Sequence, residues 1–114
     1  MSDCIFCKII KGEIPSNKIY EDDKVLAFND ISPEAPVHFL VIPKEHIGIV
    51  YPTNEVNCSI ISHIFVVINK IAKELNIDET GYRVVNNCGK DGGQTVEHIH
   101  FHVLGARNLK WPPG

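Results

Sequence analysis

Three imidazoles stand at alternate positions in His98-Ile99-His100-Phe101-His102, with a large apolar residue in each gap. Successive side chains of an extended strand point to opposite faces, so this spacing puts all three rings on one face. Ile99, Phe101, Val103 and Leu104 are left to anchor the strand to a core. An unperturbed imidazole has a pKa of roughly 6.5, so near neutrality much of it is neutral and nucleophilic. A neutral histidine can attack phosphorus and form a covalent intermediate, which divides one hard displacement into two easier ones. His100 has a same-face neighbour on each side, one to bind or protonate a phosphate oxygen and one to fix the geometry. Just upstream, Gly89-Lys90-Asp91-Gly92-Gly93-Gln94-Thr95 offers consecutive backbone N–H groups, the Gln94 amide hydrogens and the Thr95 hydroxyl. Such donors can cradle phosphate oxygens. The spacing is neither a dinucleotide fingerprint nor a P-loop, and Asp-Gly-Gly is also an ordinary tight turn. The pattern points to histidine chemistry on a phosphorylated or nucleotidylated substrate.

A second set of residues has metal chemistry. Cys4-x-x-Cys7 has the spacing of paired metal ligands. A redox dithiol is the competing reading, but no βαβ pattern surrounds it. Structural zinc wants four nitrogen or sulfur ligands in a tetrahedron. Cys58 and Cys88 show no partner spacing, whereas His46 and His98 would complete the set. Two thiolates balance the charge of the ion and two neutral imidazoles add none. Among the remaining polar residues, His38 opens a strand beside two prolines and can support the site from behind. His63 falls on a helix, at its surface or an interface. Asp30 follows a strand end, where its carboxylate can take both hydroxyls of a ribose or cap the following turn. Lys90 and Arg107 read as loop cations.

The chain of 114 residues fits one domain, spanning 1–114, with 44% hydrophobic and 22% charged residues. That balance is globular and argues against disorder. The formal net charge is −3 and no basic block exists, which argues against a nucleic-acid backbone as partner. The N-terminus carries an early acid and a short apolar run broken by Lys8, unlike a signal peptide. The longest apolar stretch, Ile64 to Ile68, is too short to cross a bilayer. The reading is therefore a cytoplasmic protein without membrane association, in a compartment that keeps Cys4 and Cys7 reduced.

These residues need a scaffold. Phe6–Lys11 reads as a short helix, ended by Gly12 and Pro15. Lys18–Glu21 and Lys24–Phe28 read as strands joined by a turn at Glu21-Asp22-Asp23. Ser32-Pro33-Glu34-Ala35-Pro36 is a rigid loop, and Val37–Ile42 a strand stopped by Pro43. Asn54 can cap a helix over Glu55–Leu75, on which Val56, Ile60, Ile64, Val67, Ile71 and Leu75 form a stripe at spacings of three and four. Ile61, Phe65 and Ile68 widen it beyond what one small sheet should need to cover. Either the helix is deeply packed or a partner subunit covers the excess. Tyr82–Val85 is a further strand, Asn86–Gln94 a polar loop, and Val96–Leu104 the histidine-bearing strand. The order βββ-α-ββ, with direct hairpins, favours an α+β meander over a doubly wound sheet.

Taken together, the chain resembles the histidine-triad (HIT) nucleotide-binding family. His-x-His-x-His followed by two hydrophobic residues is present from His98 to Leu104. The likeness runs through Leu26-Ala27-Phe28-Asn29-Asp30-Ile31, Ala35-Pro36-Val37-His38-Phe39-Leu40-Val41-Ile42-Pro43-Lys44, Asp91-Gly92-Gly93-Gln94-Thr95-Val96 and Trp111-Pro112-Pro113-Gly114. The last segment points to the adenosine phosphoramidase branch. The resemblance implies a HIT-like α+β fold: a five-stranded antiparallel sheet, one long helix, a short N-terminal helix, and a symmetric homodimer. It implies recognition of a purine nucleoside monophosphate, with Asp30 on the ribose and Phe6, Phe28, Ile31 and Leu40 lining the base pocket. His100 matches the nucleophile, His102 a phosphate-contacting histidine and His38 a supporting one. Asn86, Gly92, Thr95 and Val96 match phosphate-site positions, joined here by Gln94. Trp111 matches a residue that reaches toward the neighbouring subunit. The cysteine pair resembles that of bacterial relatives, which implies structural zinc on Cys4, Cys7, His46 and His98, with no metal required for the chemistry.

The loop from Asn87 to Lys90 looks one residue longer than in the animal proteins. Thr95 stands for a serine, and Glu97 and Lys110 for an aromatic and a histidine. The expected activity is hydrolysis of purine nucleoside phosphoramidates or aminoacyl adenylates through a nucleotidyl-histidine. A non-catalytic purine nucleotide-binding or interaction protein is the alternative, against which the intact His100 and His102 argue.

Overall fold

The computed structural model describes residues 3–48 and 55–114. Helix α1 (Ile5–Ile10) leads to strands β1 (Lys18–Glu21), β2 (Val25–Asn29) and β3 (Val37–Pro43). Helix α2 (Glu55–Glu74) follows, then β4 (Tyr82–Val85) and β5 (Phe101–Gly105). The strands form one antiparallel sheet in the order β1-β2-β3-β5-β4. The expected α+β class and βββ-α-ββ order are present.

Local chemistry sets the element ends. The Cys4 sulfur caps α1 by accepting the Cys7 N–H at 3.4 Å, and Gly12 ends the turn at φ +81°, a conformation glycine adopts without a Cβ clash. Helix α2 ends in a Schellman motif: Ile77 N–H donates to the Ala72 carbonyl and Asn76 N–H to that of Lys73, with Asn76 at φ +61°. The proposed cap Asn54 lies outside the described residues, as does the Val56 side chain. Asp22 shapes the β1–β2 turn by accepting from the Lys24 and Val25 N–H groups at 2.8 Å. It also accepts from His63 on α2 at 2.8 Å and from the Tyr20 hydroxyl at 2.9 Å. His63 thereby clasps the helix to the hairpin.

The sheet separates two apolar clusters. On one face, Val25, Ala27, Phe39, Val41, Phe101 and Val103 pack with Ile64, Val67, Ile68, Ile71 and Ala72 of α2. On the other, Leu26, Phe28, Leu40 and Ile42 pack with Phe6 and Ile9 of α1. Helix α2 covers its own sheet and keeps apolar surface over: Phe65 is 47% and Val66 64% exposed.

The expectation of one strand over Val96–Leu104 is corrected. Pairing with β3 starts at Val41–Phe101 and ends at Val37–Gly105. Residues 96–100 lie ahead of it, bent away from the ladder, because β3 stops at Pro43, which has no N–H to offer. The alternation of faces persists through the bend, since Ile99 joins the α2-side core.

Candidate functional site

The triad face is built where α1 crosses β3 and the approach to β5. Phe6 meets the rings of His98 and His100 edge-on, with centroids 5.7 and 5.0 Å apart. His100 and His102 are 5.1 Å apart in the same manner. All three imidazoles therefore share a face although only His102 lies in a strand. His98 and His100 are buried.

His100 Nδ1–H donates to the His98 carbonyl at 2.7 Å. A carbonyl can only accept, so the proton sits on Nδ1 and Nε2 keeps its lone pair. Burial pushes His100 below the ordinary imidazole range, which favours the neutral ring. Asn86 Nδ2 donates to the His100 carbonyl at 3.0 Å and steadies the main chain there. His102 is held down to about 4, first by burial and then by His100 and His38, with Asp30 opposing. His38, on β3, lies opposite: its Nε2 is 2.9 Å from His102 Nδ1 and 3.3 Å from Asp30 Oδ2. Its Nδ1 accepts the Glu34 N–H at 3.0 Å. Asp30 Oδ1 accepts the Ser32 N–H at 2.8 Å, the turn-capping role its sequence position allowed.

The other expected site residues fall around this group. Phe6, Phe28 and Leu40 are buried in the α1-side cluster, with Val96 packed against it. Ile31 and Trp111 stand outward, 97% and 81% exposed. Thr95 and Val96 line a cavity of about 570 Å³ beside Cys4, His46 and Glu97. Gly92 has a structural reason to be glycine: a Cβ there would collide with the Cys88 carbonyl oxygen and lie 2.7 Å from its nitrogen.

Gln94 is corrected. Its amide hydrogens are both spent, on the Gly48 carbonyl at 2.8 Å and the Val96 carbonyl at 2.9 Å, and its oxygen accepts the Gly89 N–H at 2.9 Å. It braces the loop instead of offering donors to phosphate. The Gly93 N–H is likewise used within the turn, on the Lys90 carbonyl at 3.0 Å.

Cys4, Cys7, His46 and His98 converge, each with a ligand atom within 4.8 Å of the others. Sγ–Nδ1 separations are 3.3 Å for Cys4–His98, 3.3 Å for Cys7–His46 and 3.6 Å for Cys7–His98. Zinc bonds of about 2.3 Å to sulfur and 2.0–2.1 Å to nitrogen give tetrahedral edges of about 3.6 Å between the two atom types. The four residues fit that ion. His98 Nε2–H donates to the Pro43 carbonyl at 2.8 Å, leaving Nδ1 to face the sulfurs. Without an ion, burial and then Cys4 raise the Cys7 thiol above its usual value, and a dication reverses that tendency by favouring thiolate.

Sequence reasoning could not see the partners that orient these rings. The Glu34 N–H, the Pro43 carbonyl and the His98 carbonyl are backbone groups, common to every residue type.

Comparison with known proteins agrees with this geometry. The HIT domain pattern matches residues 11–109. A 14 kDa zinc-binding protein of Brassica juncea is 47% identical over 114 residues, covering 98% of this chain and all of the relative. The structure of a histidine triad protein from Clostridium difficile superposes with a TM-score of 0.93 at 58% identity, covering 96% of each chain. A HIT family hydrolase from Legionella pneumophila gives 0.95 at 46%, covering 98% of this chain and 100% of the other.

Proposed function

Because the chain belongs to the HIT domain family, we propose that it hydrolyses purine nucleoside phosphoramidates or aminoacyl adenylates through a nucleotidyl-histidine. The observation that carries this reading is the His98 carbonyl on His100 Nδ1. It leaves a neutral ring with its Nε2 lone pair free to attack. In the first step Nε2 bonds to the α-phosphorus, and the bond to the amine or carboxylate leaving group breaks with its electron pair. Water then attacks the phosphorus, the P–N bond to His100 breaks, and nucleoside monophosphate leaves. Negative charge on the non-bridging oxygens is opposed by His102 and Thr95, with Asn86, Gly92 and Val96 shaping that end of the site. Phe6, Phe28, Ile31 and Leu40 receive the purine and Asp30 the ribose. Trp111 reaches toward a neighbouring subunit of a homodimer formed through α2 and β4, whose exposed Phe65 and Val66 supply apolar area.

The Cys4–Cys7–His46–His98 group would hold a structural zinc ion. Four protein ligands would leave no open position for water, so such an ion would tie α1 to the segment after β3 and to the triad segment without acting on phosphorus. With both His98 nitrogens engaged, a proton for the leaving group comes from His102, substrate or water. A cytoplasmic location, where thiols stay reduced, suits the cysteine pair.

Turnover of adenosine phosphoramidate and of an aminoacyl adenylate tests the reading. Release of AMP from either, lost in His100→Ala, supports it. Nucleotide binding with no turnover of any conjugate in a substrate panel would move the protein to the non-catalytic alternative.

A further inference from the structure

Asp30, His38 and His102 also bring three ligand-type atoms together. Their separations are 2.9, 3.3 and 3.9 Å. A point equidistant from the corners of such a triangle lies about 2.0 Å from each, the length of a zinc–nitrogen or zinc–oxygen bond. By distance alone this trio could also hold a metal ion.

Backbone hydrogen bonds distinguish the two groups. At His98 the far nitrogen donates to a carbonyl, which leaves the near nitrogen a lone pair for an ion. At His38 the polarity is reversed. The Glu34 N–H donates to Nδ1 at 3.0 Å, so Nδ1 must carry the lone pair and the proton sits on Nε2. A metal on Nε2 would force that proton onto Nδ1, where it would face the proton of the Glu34 amide. The His38 Nε2–H instead points to His102 Nδ1 at 2.9 Å and to Asp30 Oδ2 at 3.3 Å. His102 Nδ1 therefore accepts, and the one proton of a neutral His102 sits on Nε2.

We propose that the Glu34 amide sets the tautomers of His38 and, through it, of His102, keeping the Asp30–His38–His102 trio free of metal and making His102 an Nε2–H donor to a phosphoryl oxygen. The donor role rests on the hydrolase reading above, whereas the tautomers and the metal exclusion do not. Glu34 is a positioning residue that acts only through its main chain. The residue is also held through its next peptide by Arg107, whose Nε–H donates to the Glu34 carbonyl at 2.9 Å. Burial, then His100 and His38, leave His102 neutral at ordinary pH against the opposing pull of Asp30, as a one-proton donor requires.

Long-range ¹H–¹⁵N spectra of the zinc-loaded protein at pH 7 read the tautomers directly. Both His38 and His102 should show a protonated Nε2 and an unprotonated Nδ1. A proton on Nδ1 of either ring overturns the inference, and this measurement needs no variant to fold. Cobalt titration with zinc in place reads the exclusion. Wild type should take up no cobalt, whereas Glu34→Pro, which lacks the N–H, should take up one equivalent that Asp30→Ala then removes. Cobalt bound by the wild type and lost on Asp30→Ala, or none gained by a folded Glu34→Pro, overturns it. With substrate, Glu34→Pro should lower kcat about tenfold or more and leave KM unchanged. His38→Gln, which can present an N–H near the Nε2 position, should keep more kcat than His38→Leu, and equal losses would count against the donor chain. Absence of turnover in the wild type would defeat the hydrolase reading while leaving the tautomer result standing.

Discussion

The main-chain carbonyl of His98 accepts the Nδ1–H of His100 at 2.7 Å. The ring of the same His98 faces the sulfurs of Cys4 and Cys7 at 3.3 and 3.6 Å. One residue thus serves the metal group through its side chain and orients the proposed nucleophile through its backbone. The carbonyl that fixes the His100 tautomer belongs to a residue that the ligand group holds in place.

Replacing His100 by Ala should abolish hydrolysis, with kcat falling by at least about a thousandfold, while AMP still binds. Steady-state turnover and equilibrium binding on the same preparation check this. Near-normal turnover would remove His100 from the nucleophile's role.

Exchanging Cys4 and Cys7 for Ser should empty the metal group. The melting temperature should fall by about 5–10 °C, while kcat changes by less than about threefold. Protein purified without added metal or a histidine tag should contain close to one zinc per chain. Less than about 0.1 per chain, with stability unchanged by chelation, would rule the ion out.

Sedimentation at micromolar concentration should give about twice 12.8 kDa. Val66→Glu, at an exposed apolar position of α2, should shift the protein toward monomer without unfolding it. A wild type that sediments as a monomer would refute the dimer and leave Trp111 no neighbouring site to reach.

His102 is held near 4 in the folded chain by burial, His100 and His38, against roughly 6.5 when unfolded. Between those values the unfolded chain binds more protons, so stability falls as pH drops from about 6.5 to 4. In His102→Asn, urea midpoints measured across that window should decline less steeply than in wild type. Parallel declines would show that His102 titrates alike in both states.

Gly92→Ala should displace the loop at Cys88, because the added Cβ meets backbone atoms. Overpacking of this kind costs about 1–3 kcal/mol. The expected signature is a lower urea midpoint together with weaker AMP binding, and a neutral outcome would mean the loop yields freely.

The chain's architecture was readable where periodicity is strong. Tyr82–Val85 matches its expected bounds, and the helix predicted at Glu55–Leu75 ends one residue earlier, at Glu74. The alternation in the triad segment begins five residues ahead of β5, because an alternating pattern marks faces and says nothing of whether a neighbouring strand is there to pair. The chemistry of Cys4, Cys7, His46 and His98 was legible from residue type, since few other nitrogens and sulfurs could complete the set. Gln94 reads as a phosphate donor in the sequence because an amide's donors look alike until their acceptors, here the Gly48 and Val96 carbonyls, are known. His63 gave no sign of Asp22, 41 residues away. The orienting backbone groups were invisible for the reason already given.

Strand β3 contributes Phe39 and Val41 to the helix-side core, and Leu40 and Ile42 to the opposite cluster, with His38 on the site. Its residues therefore obey a reading frame of two. Deleting or inserting a single residue within Val37–Pro43 would exchange the whole set, sending a histidine toward oil and a phenylalanine toward the ligand. Length changes belong in the connections that carry no site group, and laboratory evolution should tolerate insertions at 78–80, between α2 and β4, long before it accepts one in β3.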